Sequence, residues 1–327
     1  MSDVRVLAPT AAELLKQMAG RRVLVVGDAM LDEWIWGSVT RVSPEAPVPV
    51  VAVRDHSFTL GGAANVANNL RALDARVTFI GVVGDDPEGE RVRRLFVEKS
   101  IDTPGLLTVR DRPTTRKTRI VAHNQQVVRA DWESAMELDP VDRERVRAAV
   151  ARAVEGCDAV VLSDYNKGLF SREIVEAALG ARIVVADPKP GNIDLFADVT
   201  CVAPNAGETS SATGTQIVDD ASLERAGTDL LERLRSRYVI ITRGEAGMAL
   251  FGRDGERAKV PSVARTVYDV SGAGDTVVAV LTLALAAGAS MSVSMQLANY
   301  AAGAVVEKLG TATASAAEIV ALVSHDA

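Results

Sequence analysis

Cysteine is scarce: Cys157 and Cys201 are the only two in 327 residues. They stand too far apart for a metal knuckle or a CxxC redox pair, which points to a thiol-reduced, cytoplasmic protein. Positive charge is in the minority, with 36 Lys+Arg against 43 Asp+Glu and a net charge of −7. That balance argues against nucleic acid or an anionic membrane as partner. No hydrophobic run is long enough to span a bilayer. The longest, Thr276 to Ala289, falls short of the roughly 18–20 residues required and reads as a buried, Ala-rich helix. The start, MSDVRVLAPTAAELLKQ, lacks the basic stretch and apolar run of a signal peptide. His56 and His123 have no ligand-like spacing, so no histidine metal site is argued. A GxGxxG fingerprint is also missing, which leaves a dinucleotide oxidoreductase far behind the other readings.

What the chain does have is an ordinary globular composition, 48 % hydrophobic and 24 % charged, enough to bury a large core. Continuous apolar runs begin near residues 22, 77, 158, 182, 199 and 238. Between most of them lie helical segments: 64–73, 88–99, 139–154, 171–179 and 220–235. This alternation predicts an α/β fold with a mostly parallel sheet covered by helices on both faces. Residues 37–60 and 112–131 break the pattern, reading as strands with alternating polar faces and no helix between partners. They predict a small separate sheet, a flap on one domain spanning residues 1–327.

The strongest local signal is DVSGAGDTVVAVLTLALAAG, residues 269–288, where a Gly-Ala-Gly turn (Gly272, Ala273, Gly274) feeds an apolar helix. Helix-start N–H groups and their partial positive charge favour an anion there, most simply a phosphate. Asp275 is then either a cap of that helix or a carboxylate placed to accept a proton from an attacking hydroxyl. In LGGAANVANNL, Gly61 and Gly62 precede a helix carrying Asn65, Asn68 and Asn69. The run reads either as a ligand-holding turn or as close helix packing. VAPNAGET places Asn205 and Glu208, with Ala206 and Gly207 between them, just past a strand end. Their oxygens suit hydrated Mg²⁺, and equally a turn with a capping carboxylate. Lys189 in DPKPG, and Arg243, Gly244 and Gly247 in ITRGEAGM, follow other strands. Asp28 and Asp32 follow the first strand, and DYNKG adds Asp164 and Lys167. The flap carries Arg112, Arg116, Lys117, Arg119 and Arg129, with alternation putting Lys117 and Arg119 on one face. Such a cluster either grips an anionic group or guards a solvated edge.

Together GGAANVANNL and DVSGAGDT resemble the two signature regions of the PfkB, ribokinase-like carbohydrate kinases, over about residues 23–316. The resemblance implies Asp275 as general base and Gly272, Ala273 and Gly274 as anion hole. It implies Asn205 and Glu208 as the NxxE motif handling Mg²⁺ and phosphate, Thr242 on the nucleotide-side loop and Asn299 on the adenine-side helix. It also allows a K⁺ beside the anion hole, with Asp269 at the head of that loop. The runs RVSPEAPVPVV, PTTRKTRIVAHNQQVVRAD, LSDYNKG and EKLGTAT look most like the D-glycero-β-D-manno-heptose-7-phosphate kinases. That likeness implies transfer of the ATP γ-phosphoryl group to O1, giving the 1,7-bisphosphate for ADP-heptose and lipopolysaccharide core synthesis. Lys117, Arg119, Arg129 and Lys167 are the candidates for the 7-phosphate, and Asp28, Gly62, Asn65 and Asp164 for sugar hydroxyls. Many such kinases are fused to a C-terminal nucleotidyltransferase domain. This chain ends at Ala327 without an HxGH-like motif, so a stand-alone kinase is expected. A homodimer pairing its flap sheets is expected as well. The alternatives are a related kinase for another sugar phosphate, such as fructose 6-phosphate, or a non-catalytic sugar- or nucleotide-binding regulator on the same fold.

Overall fold

The apolar runs become strands buried on both faces in a computed structural model, which describes residues 7–123, 125–264 and 266–326. Nine strands form the main sheet: β1 (Arg22–Gly27), β4 (Arg76–Gly84), β5 (Asp102–Val109), β8 (Ala159–Ser163), β9 (Val184–Asp187), β10 (Cys201–Val202), β11 (Tyr238–Thr242), β12 (Met248–Gly252) and β13 (Arg257–Val260). Their order is β13-β12-β11-β10-β9-β8-β1-β4-β5. Every pair from β11 through β5 is parallel, while β12 and β13 turn back antiparallel.

Alternation within each strand separates two cores. Val23 and Val25 of β1 join one cluster with α1 (Ala8–Met18), α2 (Ala63–Ala72), α3 (Pro87–Glu98), α8 (Ala273–Ala286), α9 (Met291–Val306) and α10 (Ala316–Asp326). Leu24 and Val26 join the other, beneath α4 (Pro140–Val154), α5 (Arg172–Ala178) and α7 (Asp220–Leu234). Helix α6 (Ala206–Thr213) borders the second cluster. Among the described residues no helix is long and apolar enough to cross a membrane.

The flap is a four-stranded sheet ordered β3-β2-β6-β7, built from β2 (Ala29–Val42), β3 (Pro49–Gly62), β6 (Thr115–Ala122) and β7 (Gln125–Trp132). It starts earlier than the predicted residue 37, because Ala29–Trp34, Asp32 and Glu33 included, is buried on both faces where the flap roots in the body and shows no alternation. Asp32 therefore lies in a strand, opposite Thr59 and Lys117, and not in the loop after the first strand. Residues 112–114 precede the strand, and Asn124, inside the predicted flap, lies outside the described residues. Strand β5 escaped the periodicity because Pro104 and Gly105 interrupt it, which an edge position tolerates.

Strand order places the site. From β1 the chain steps to β4 and β5 on one side, and from β8 to β9, β10 and β11 on the other. The crevice between β1 and β8, outside their carboxyl ends, is thus the topological switch point where open α/β sheets hold ligands. Asp28, Asp164, Asp187, Asn205 and Arg243 all follow carboxyl ends on that edge.

Candidate active site

Helix α8 opens with Gly272 at φ +79°, a left-handed backbone that glycine adopts without strain. A Cβ there would also lie 2.6 Å from the Asn65 amide nitrogen. This close approach lets α2 and α8 meet through their polar ends. Asn65 Nδ2 donates to Asp275 Oδ2 at 2.8 Å, and Thr276 Oγ1 donates to Asn69 Oδ1 at 2.9 Å. The second oxygen of Asp275 accepts the Tyr165 phenol at 2.5 Å. Asp275 is 5 % exposed, and burial pushes its carboxyl up to about 6 even though both donors favour the charged form. Neither oxygen caps its own helix, so the capping alternative is set aside.

On one side of this helix start a cleft of about 540 Å³ runs past Thr242, Gly244, Gly247, Ala273, Gly274 and Asn299. Of the residues expected on the nucleotide side, Thr242, Gly244, Gly247 and Asn299 line it, whereas Lys189, Asn205, Ala206, Gly207, Glu208 and Arg243 are not among its lining residues. Gly247, at φ +76°, closes the turn from β11 to β12, and a Cβ on it would lie 1.9 Å from the Val260 carbonyl. Asn299 donates to the Pro261 carbonyl at 2.8 Å, and Arg243 to that of Ala246 at 2.6 Å. Asn205 and Glu208 form a reciprocal capping box on α6, with Ala206 and Gly207 in its first turn. The other Glu208 oxygen takes the Lys189 ammonium. Burial draws Lys189 down, but Asp187 and Glu208 beside it hold it above its usual value. Both Asp269 oxygens accept backbone N–H groups, from Ser271 and Gly310.

On the other side lies the flap. Asp32 is clamped by Arg119 at 2.7 Å, and Gly61 leaves room for that carboxylate, since a Cβ would sit 2.6 Å from it. Gly62 takes φ +56° beside the Asp28 carbonyl. Arg129 pairs with Asp131 at 2.9 Å and Lys167 with Glu133 at 2.9 Å. Among the described residues Lys117 has no ion pair within 4 Å, and burial lowers its pKa. Its ammonium lies 5.6 Å from the Tyr165 ring centroid. Asp28 accepts the N–H groups of Tyr165 and Lys167 on one oxygen, and burial raises it to about 6. Its other oxygen is buried without a hydrogen-bond partner among the described residues. Asp164 ties its own loop to the segment after β9, accepting from Asn166 on the one and from Lys189 and Asn192 on the other.

The sequence matches the pfkB family carbohydrate kinase description over residues 21–318. The chain belongs to that family. A pfkB carbohydrate kinase is a phosphotransferase acting on a sugar hydroxyl, and a buried carboxylate at a helix start beside a cleft is geometry suited to that step. This pfkB chain is 47 % identical over 306 residues to "Bifunctional protein HldE" of Desulfatibacillum aliphaticivorans, covering 91 % of this chain and 62 % of that protein. It is 42 % identical over 316 residues to the protein of the same name from Trichlorobacter lovleyi, covering 95 % and 64 %. The chain thus spans less than two thirds of the length of these relatives. Its fold is ribokinase-like. Phosphofructokinase-2 of Escherichia coli in complex with substrates and products superposes with a TM-score of 0.79 at 18 % identity, covering 93 % of this chain and 99 % of that one. Arabidopsis thaliana ribokinase complexed with ribose and ATP gives 0.72 at 20 %, with the same coverage.

Sequence reasoning left Tyr165, Asp187 and Asn69 off the pfkB kinase's candidate site. Tyr165 stood inside the DYNKG run, but its partner Asp275 is 110 positions away, and no local pattern links them. Asp187, pushed up to about 8 by burial, is the last residue of β9, two positions before Lys189, and that position was the available signal.

Proposed function

We propose that this chain is an ATP-dependent sugar-phosphate kinase acting on D-glycero-β-D-manno-heptose 7-phosphate at O1. The observation that carries the reading is the place of Asp275, buried and held by two donors between the cleft and Lys117, a half-buried flap cation with no ion pair among the described residues. The name of the relatives, the flap runs that resemble heptose-7-phosphate kinases, and the ATP in the ribokinase complex support it.

ATP supplies the phosphoryl group. Asp275 accepts the proton of the attacking hydroxyl, which requires it ionised, while the first turn of α8, through Gly272, Ala273 and Gly274, faces the transferring oxygens. Thr242, Gly244, Gly247 and Asn299 form the walls of the nucleotide cleft. Lys117, lacking a carboxylate of its own, takes the sugar's phosphate, and Lys167 joins it by leaving Glu133. Arg119 and Arg129 act through the carboxylates they hold in place. The unpartnered oxygen of Asp28 is the sugar-hydroxyl acceptor of choice, while Asn65 and Asp164 act by fixing Asp275 and the 164–168 loop. The oxygen donors of Asn205 and Glu208 suit Mg²⁺, but both Glu208 oxygens are engaged, so contact through water is the arrangement that fits. Asp269 would shape a K⁺ loop through its backbone contacts. The flap closes over the sugar to exclude water. It also pairs the chain into a homodimer, as its exposed Val53, Val128 and Trp132 favour.

The test is ADP release from ATP with Mg²⁺ and heptose 7-phosphate, fructose 6-phosphate or ribose, for the wild type and Asp275→Asn. Heptose-selective turnover, lowered about 10²- to 10⁴-fold in the variant, is the expected result. Turnover on another sugar would remove the heptose assignment and keep the kinase. None on any sugar would leave a binding protein.

A further inference from the structure

Tyr165 enters the site from the loop after β8, and its position is set from three sides. Its backbone N–H donates to Asp28 Oδ2 at 2.8 Å, and the Lys167 N–H reaches the same oxygen at 3.2 Å. Asp28 is 2 % exposed and roots in the crevice between β1 and β8. Two ammonium groups lie near the ring, Lys117 of the flap at 5.6 Å from its centroid and Lys189 of the body at 5.1 Å. Both distances are within reach of a cation–π attraction. The phenol then donates to Asp275 Oδ1 while Asn65 donates to Oδ2.

We propose that Tyr165 is a positioning residue for Asp275, fixing the plane of its carboxylate from the side opposite Asn65. The inference rests on Asp275 acting as the base. A carboxylate offers about four lone-pair sites, and two donors on different oxygens stop its rotation while leaving sites open to a substrate hydroxyl. A donor to the charged form also favours that form. The charged and titratable groups that face Asp275 are Asp32 from β2, Asp187 from β9 and Lys189 from the loop after β9, besides the phenol itself. Asp32 disfavours its charge and Lys189 favours it, while Asp187, held protonated to about pH 8, is neutral where Asp275 titrates, so the phenol adds to the side that favours the charge. Burial and the neighbouring Asp275 raise Tyr165 well above its ordinary range, so it remains a donor throughout the working pH.

The experiment is Tyr165→Phe, which removes only the donor. The carboxyl carbon of Asp275 is titrated by NMR in the ligand-free protein, with Asp275→Asn giving the assignment. The expected midpoint is higher than in the wild type by about one pH unit. With the sugar that supports turnover, kcat at pH 6 should fall about fivefold or more, KM should change much less, and the acid limb should move up with the carboxyl midpoint. If Tyr165→Phe does not fold, a fluorotyrosine at 165, a stronger donor on the same ring, should move the midpoint down. An unchanged midpoint in either protein would overturn the proposal, leaving Tyr165 as packing alone. The titration needs no substrate, so it stands even if no sugar in the panel is turned over.

Discussion

A carboxylate in the first turn of a helix ordinarily caps it and titrates near 4. Asp275 does neither, because its oxygens turn away from the helix towards Asn65 and Tyr165 and its surroundings exclude water. Its midpoint of about 6 gives a sign to the pH dependence: the base works only when ionised, so kcat/KM should rise through about pH 6 and level off above it. A pH–rate profile checks this, and a flat profile from 5 to 8 would oppose it. Stability runs the other way. Asp28, Asp187 and Asp275 hold protons more tightly in the fold than in the unfolded chain, where carboxyls titrate near 4. Their contribution is whole below about pH 4 and is lost as pH rises through about 6 and, for Asp187, about 8. The melting temperature should fall between pH 6 and 8, and Asp187→Asn should flatten that slope in scanning calorimetry.

At the scale of elements, the flap is joined to the body through ionic and stacked contacts as well as its strands. Arg116 of β6 pairs with Glu88 of α3 at 2.6 Å, and Arg91 of α3 stacks 3.7 Å over the Phe58 ring of β3. Inside the flap, Asp32 of β2 and Arg119 of β6 are both buried, and Arg119 also lies over Trp34. Removing one member of such a pair strands the other charge without water. Arg119→Ala should therefore lower stability by about 3–5 kcal/mol in urea unfolding, and adding Asp32→Asn should recover part of it. The β11–β12 turn has a different weakness. Gly247→Ala sets a side chain against the Val260 carbonyl at a backbone angle suited to glycine. Equilibrium dialysis should show weaker ATP binding, with the flap contacts intact.

For the molecule as a whole, the proposed pairing of flaps rests on exposed apolar positions such as Val53, Val128 and Trp132. Sedimentation should find a dimer, and Val128→Glu, on the edge strand β7, should convert it to monomer. A dimer unmoved by Val128→Glu would place the interface elsewhere. The α/β class, six of the main-sheet strands and the helices between them were legible in the chain, because a strand buried on both faces must be a continuous apolar run. The glycine turn before α8 was legible too, since its chemistry is local. The reach of the flap back to Ala29 was not, because its root is buried on both faces and carries none of the alternation that marks the rest. Nor was the allocation of cations: Lys117, Arg119, Arg129 and Lys167 look alike along the chain, and only packing decides that three of them face carboxylates. The sequence alone determined which groups are available and on which edge of the sheet they emerge, because strand and turn patterns are written in neighbouring residues. The tertiary structure decided which of those groups meet. The contact of Tyr165 with Asp275 depends on strand order, which brings β8 beside β1, and on the packing of α8 against one face of that sheet, and no spacing along the chain encodes that distance.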